Sequence, residues 1–259
     1  MSGAATASRG GNWERLAPPG YFDRSTRPFP SLLLLAPLIV VYEVGTRFFT
    51  TAAMHGADQQ VIAFSKMQQF FHLFGASGRH LPALAVVASL LCWHIVRNDT
   101  WQVSFGTVAG MGVESLLLSL PLFLIGILLA RYYPLAAASK APSLTLSGPS
   151  RDMFIMSLGA GVYEEFVFRL AAFALFSAIF RDFLRMHQLA AGLLMVFASA
   201  GLFALYHYWD TSEPFVGKIF AFRTAAGVYF GVIFLLRGFG VTAAAHSIYD
   251  VIFTATMLS

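Results

Sequence analysis

The segment DMFIMSLGAGVYEEFVFRLAAFALFSAIF, Asp152 to Phe180, decides the fold. It is long enough to cross a bilayer, which takes about 20 apolar residues in a helix. Yet its middle carries Glu164, Glu165 and Arg169. A charge at the bilayer centre costs about 2.5–3.5 kcal/mol on insertion scales, so ionisable groups inside such a run turn toward a protein interior and mark function.

The rest of the chain shows that its solvent is lipid. Of 259 residues, 57% are hydrophobic and 12% charged, against about a quarter charged in a soluble domain. Mean hydropathy is +0.67. Apolar runs recur at Ser31–Phe49, Leu81–Val96, Val103–Ala130, Met153–Phe180, Leu189–Tyr208, Phe215–Leu236 and Phe239–Met257. They predict an all-α, polytopic membrane helix bundle of about seven transmembrane helices, with six and eight as the neighbouring counts. VIAFSKMQQFFHLFG, Val61–Gly75, has helical spacing and reads as a surface or re-entrant helix rather than a span. Pro and Ser mark Arg131–Arg151 as the clearest loop. Three regions follow: a polar tail at 1–30, N-terminal transmembrane helices and loops over 31–151, and core helices over 152–259.

The net charge of +4 does not point to nucleic acid, because the Lys and Arg residues are scattered singly between apolar runs. Basic loops at an anionic membrane surface account for them. Cys92 is the only cysteine, which excludes an intramolecular disulfide and a Cys-based structural zinc site. The first thirty residues lack the apolar core of a signal peptide, so the first run is expected to stay as an anchor. Arg9, Arg15, Arg24 and Arg27 favour a cytoplasmic N-terminus, although Arg131, Lys140 and Arg151 then fall outside.

The ionisable residues within the runs are Glu43, Glu114, Glu164, Glu165, Arg169, His207, His246 and Asp250, with His94 a weaker member. Glu165 and Arg169 stand four apart with the acid first, the better orientation for an ion pair on a helix. Glu164 is rotated by about 100° from its neighbour and has no such partner, which leaves it a chemical task. Phe203 and His207 share a face in SAGLFALYHYWD, as do His246 and Asp250 in VTAAAHSIYDVIF. Alanines before His246 let a neighbouring helix approach closely. An i, i+4 His–Asp pair can orient an imidazole, share a proton or bind a metal.

Each group taken alone also fits a structural reading: an ion cluster holding helices, a packing histidine, a polar clamp. Together, a carboxylate and two histidines on three late spans make the kit for activating water against a carbonyl. Glu43 and Glu114 could each simply pair locally, Glu43 with Arg47. Together they keep a proton-relaying transporter as a further reading.

EEFVFR, FALYH and HSIYD resemble, in order, the EExxxR, FxxxH and HxxxN/D signatures of the CPBP family, the CAAX-protease and bacteriocin-processing membrane proteins. Gly227 and Gly231 resemble glycines of the intervening span, and the likeness covers Asp152 to Ile252. The resemblance implies an all-helical intramembrane endopeptidase with Glu164, His207 and His246 as the catalytic set. Glu164 would activate a water with help from His207, and His246 with residue 250 would stabilise the oxyanion. Glu165, Arg169, Phe203 and Asp250 would support them. Both a metal-free mechanism and a divalent metal such as zinc are compatible with it, the metal falling to Glu164, His207, His246 and Asp250.

The implied partners are the lipid bilayer and a membrane-associated peptide or protein substrate, a prenylated CAAX protein in the eukaryotic branch. The bacterial branch, set in the inner membrane, also includes bacteriocin-immunity proteins. A non-proteolytic membrane scaffold or immunity-type binding protein is therefore the alternative. The prenyl-protein branch carries Asn where this chain has Asp250. An ionised Asp250 has no hydrogen to donate to an oxyanion, so it is protonated, orients a cationic His246, or helps hold a metal. No HExxH or GxGD motif is present, and Ser247 lacks a rhomboid-like setting.

Overall fold

A computed structural model describes residues 20–48, 61–132, 149–209 and 214–257. The described residues are mostly helical and contain no strand. A short α1 (Tyr21–Ser25) leads into α2 (Pro28–Phe48), α3 (Ile62–Leu73), α4 (Leu81–Arg97) and α5 (Phe105–Tyr132). Next comes α6 (Pro149–Glu165), which runs on through a π-helical segment (Phe166–Ala171), α7 (Ala172–Ser177) and a second π-helical segment (Ala178–Phe183). The chain ends with α8 (Gln188–Tyr206) and α9 (Gly217–Met257).

The 41 residues of α9 would reach about 60 Å if straight, twice the hydrocarbon thickness. They do not run straight. Phe230 and His246 are sixteen residues apart, yet their rings stack at 4.6 Å. The chain folds back at Gly238, whose φ of 75° and ψ of −177° lie in a region essentially reserved for glycine. Both limbs line α5: Tyr229 donates to the Leu118 carbonyl at 2.8 Å, and Ser115 donates to that of Val241 at 3.2 Å. One element thus supplies the two spans expected at Phe215–Leu236 and Phe239–Met257.

Among the described residues, Pro28–Phe48, Phe105–Leu129, Gln188–Tyr206 and Gly217–Thr256 are long and apolar enough to cross a membrane, and Leu81–Arg97 is a shorter apolar helix. The 12 residues of α3 reach only about 18 Å. That helix lies against the bundle through Phe64, which meets Tyr42 and Tyr163 at 5.3 and 4.9 Å, while Phe70, Leu73 and Phe74 face outward.

Burial follows the rule for lipid. Leu117, Leu124, Phe197 and Leu236 point out of the bundle, whereas Glu164, Glu165, Arg169, Ser199 and His246 point in. The core around them is formed by α9 packed on α5, α6 and α8, with α2 bracing α6 from the other side.

Three expectations change. Most of the expected loop, 133–148, lies outside the described residues, as does the tail over 1–19; Arg131 belongs to the end of α5 and Arg151 to the start of α6. Glu43 does not pair with Arg47. Its carboxylate faces the bundle, where it lies 2.5 Å from His80 Nδ1 and accepts a hydrogen bond from the Tyr163 hydroxyl at 3.1 Å. The Arg47 guanidinium sits instead over the Phe48 ring. Glu114 is satisfied by groups distant in sequence, Arg237 and the Tyr21 hydroxyl, the latter at 2.7 Å. This cluster fastens α1 across α5 and the turn of α9. Burial, then the Glu114 hydrogen bond, push the Tyr21 phenol up to about 12, so it stays a donor at neutral pH. His94 is buried between the Phe29 and Trp101 rings.

Candidate active site

Glu164 and Glu165 end the α-helical part of α6, where the π-helical turn begins. Turns of this kind are rare, occur mostly as local interruptions of α-helices, and are frequent at functional sites. One turn earlier, Gly161 lets the second limb of α9 press directly onto α6. A Cβ at Gly161 would overlap the backbone nitrogen and Oγ of Ser247. Ser247 seals this crossing by donating to the Leu158 carbonyl at 3.1 Å. The contact holds His246, the residue next to Ser247, against the two glutamates.

Arg169 and Glu165 are both completely buried, and Arg169 Nε stands 3.0 Å from Glu165 Oε2. This is an ion pair off the hydrogen-bond direction. The remaining guanidinium nitrogens donate to the Gly227 carbonyl at 3.2 Å and to Ser199 Oγ at 3.4 Å, and the Phe203 ring lies 5.1 Å from the cation. Arg169 therefore joins α6, α8 and the first limb of α9. An isolated cation would not be stable in such a place; three elements share the cost of burying it.

The other oxygen of Glu165 does something the in-helix spacing could not indicate. His246 Nδ1 lies 2.8 Å from Glu165 Oε1, so Nδ1–H donates to it. The opposite nitrogen, Nε2, then faces Glu164 Oε2 at 3.9 Å and Asp250 Oδ2 at 3.5 Å. The imidazole is further held by stacking on Phe230. Glu164, in turn, accepts a hydrogen bond on Oε1 from the Tyr206 hydroxyl. The two glutamates differ as their spacing suggests, but Glu164 does have a partner, one on another helix.

His207 follows the last residue of α8, and its Nδ1–H donates to the Phe203 carbonyl at 2.7 Å. It joins the cluster through rings: Phe203 lies 4.9 Å from His207 and 6.0 Å from His246, and Tyr206 lies 4.4 Å from His207. The side chains that the resemblance offers to a metal do not converge as a ligand set. Among the described residues no three His, Cys, Asp or Glu side chains are arranged to hold an ion.

Tyr206, Ser199, Phe230 and the Gly227 carbonyl are the members not expected as site groups. Tyr206 left one trace in the sequence, a phenol beside the histidine of FALYH.

Residues 147–252 match the model of the family described as Type II CAAX prenyl endopeptidase Rce1-like. All three motifs fall within that stretch, so the part of the chain that carries them is similar to the CAAX-protease family that the motifs resemble. No curated protein and no solved structure matches the chain.

Proposed function

We propose that this chain is an intramembrane endopeptidase in which Glu164 takes a proton from a water that attacks a peptide carbonyl. The observation that carries this reading is the pair of atoms Glu164 Oε2 and His246 Nε2, 3.9 Å apart. That is too long for a direct hydrogen bond, and one water lying to the side of the line between the two atoms can contact both.

With a water there, Oε2 accepts its proton as the oxygen adds to the carbonyl carbon. Nε2 of His246, protonated, then donates to the oxyanion, and Glu165 and Asp250 on either side balance the imidazolium charge. Collapse breaks the C–N bond, and the proton held by Glu164 passes to the leaving amine. The products are one carboxylate and one amine. Glu165 and Arg169 hold the imidazole and its helix in register, and His207 assists from beside Tyr206.

The substrate in this reading is a membrane-associated peptide, with a prenylated CAAX C-terminus as the finer proposal suggested by the family. The chain would lie in a bacterial inner membrane with its N-terminus cytoplasmic, in keeping with the four arginines of the tail.

The test is cleavage by the purified chain in liposomes, using a farnesylated CAAX peptide and the same peptide without lipid, with products read by mass spectrometry. The wild type should release a C-terminal fragment, and Glu164→Gln should abolish release while eluting as a monodisperse species. Full activity in Glu164→Gln would refute the base assignment. Absence of cleavage by the wild type would favour the scaffold alternative.

A further inference from the structure

We propose that Tyr206 is a positioning residue for the base, fixing which oxygen of the Glu164 carboxylate meets the water. The inference rests on the reading of Glu164 given above.

Its first support is the contact itself, a buried phenol donating to Oε1 of a buried carboxylate. Its second is the rigidity of the ring. Phe168 packs on it at 4.8 Å, Phe203 at 6.0 Å and His207 at 4.4 Å, so the hydroxyl has little room to swing away. Its third is the identity of the other groups near Glu164. His246 Nε2 is 3.9 Å away, and Glu165 and Asp250 are carboxylates with no hydrogen to donate when ionised.

Among the described residues, the Tyr206 hydroxyl is thus the donor in bonding contact with Glu164. Without it, a buried carboxylate would rotate about its last torsion, a broad one with little intrinsic preference. With Oε1 tied, Oε2 is left facing His246, and proton transfer is directed to that side. The carboxylate offers two oxygens, and this arrangement gives Oε1 to the fixed donor and leaves Oε2 for the water.

Tyr206→Phe tests this, because it keeps the ring and its packing and removes only the hydroxyl. Infrared difference spectra between wild type and Glu164→Gln identify the Glu164 carboxylate bands. In Tyr206→Phe those bands should shift, kcat should fall on the order of tenfold to a hundredfold, and KM should stay near the wild-type value. Unshifted bands overturn the inference, as does a shift that leaves kcat unchanged; a residue that only packs would behave in one of these two ways. If either occurs while Glu164→Gln is inactive, the protease reading stands and the inference alone falls. If the wild type cleaves nothing, the protease reading falls and the infrared bands alone decide whether Tyr206 holds Glu164. Should Tyr206→Phe fail to fold, 3-fluorotyrosine at 206 retains the ring and a more acidic hydroxyl, and the same bands should move; unmoved bands overturn the inference.

Discussion

Replacing Arg169 by methionine would remove the guanidinium while filling most of its volume, so the loss is chiefly electrostatic. Arg169 and Glu165 are each fully buried, and the variant leaves Glu165 charged with His246 as its remaining partner. Removing one partner of a buried pair costs about 3–5 kcal/mol. The Gly227 carbonyl also loses its 3.2 Å donor, worth about 1–3 kcal/mol for a buried group left unpaired. Polar contacts between helices in a bilayer average only about 0.6 kcal/mol, so the uncompensated charge is the term that decides the outcome. An overall loss of about 3 kcal/mol or more is expected.

Glu165→Gln should cost a similar amount by leaving the cation unpaired, while its amide oxygen still accepts from His246. The double variant carries neither charge. It should be more stable than the sum of the single losses predicts, with a coupling of about 1–3 kcal/mol. Reversible unfolding by sodium dodecyl sulfate in mixed micelles measures all four corners of this cycle. A single-variant loss under about 0.5 kcal/mol, or strict additivity in the double, would refute the claim that this pair holds the site together.

Two backbone positions give further tests. Gly161→Val puts carbon atoms into the Ser247 backbone, so the second limb of α9 must move away. Displacing His246 by about 1 Å should cost on the order of a hundredfold in kcat/KM; a fully active Gly161→Val would show that the crossing does not set the site. Gly238→Ala forces an L residue into φ 75° and brings its Cβ to 3.3 Å from the Thr26 carbonyl oxygen. About 1–3 kcal/mol of stability should be lost, read by thermal unfolding in detergent, and an unchanged midpoint would argue against the fold-back at this residue.

The spans were legible because bilayer thickness imposes a length on every apolar run, and composition left no other solvent. The division of α9 was legible too, since Arg237 and Gly238 interrupt an apolar stretch twice as long as a bilayer needs. The π-helical turns after Glu165 and Ser177 were not, because a single widened turn leaves no period to read. Nor was the partner of Glu43, since His80 approaches from the start of α4 and Tyr163 from α6, both distant in sequence.

Within the site the same boundary can be drawn residue by residue. Helical spacing reports neighbours on one element, and all three i, i+4 pairs are found together: Glu165 with Arg169 at 3.0 Å, His246 with Asp250 at 3.5 Å, and the Phe203 and His207 rings at 4.9 Å. Contacts between helices depend on how each is rotated about its axis, and that is set by close crossings such as Gly161 on Ser247. The partnership of Tyr206 with Glu164 and that of His246 with Glu165 belong to this second kind. Glu165 consequently has two duties that spacing alone shows as one: counter-charge to Arg169 and acceptor for the Nδ1–H that orients His246. A glutamine there keeps an acceptor but loses the charge, so its effect on stability should exceed its effect on the direction of the imidazole. An alanine removes both, so it should lower turnover further than the glutamine does, beyond what its loss of folded protein accounts for.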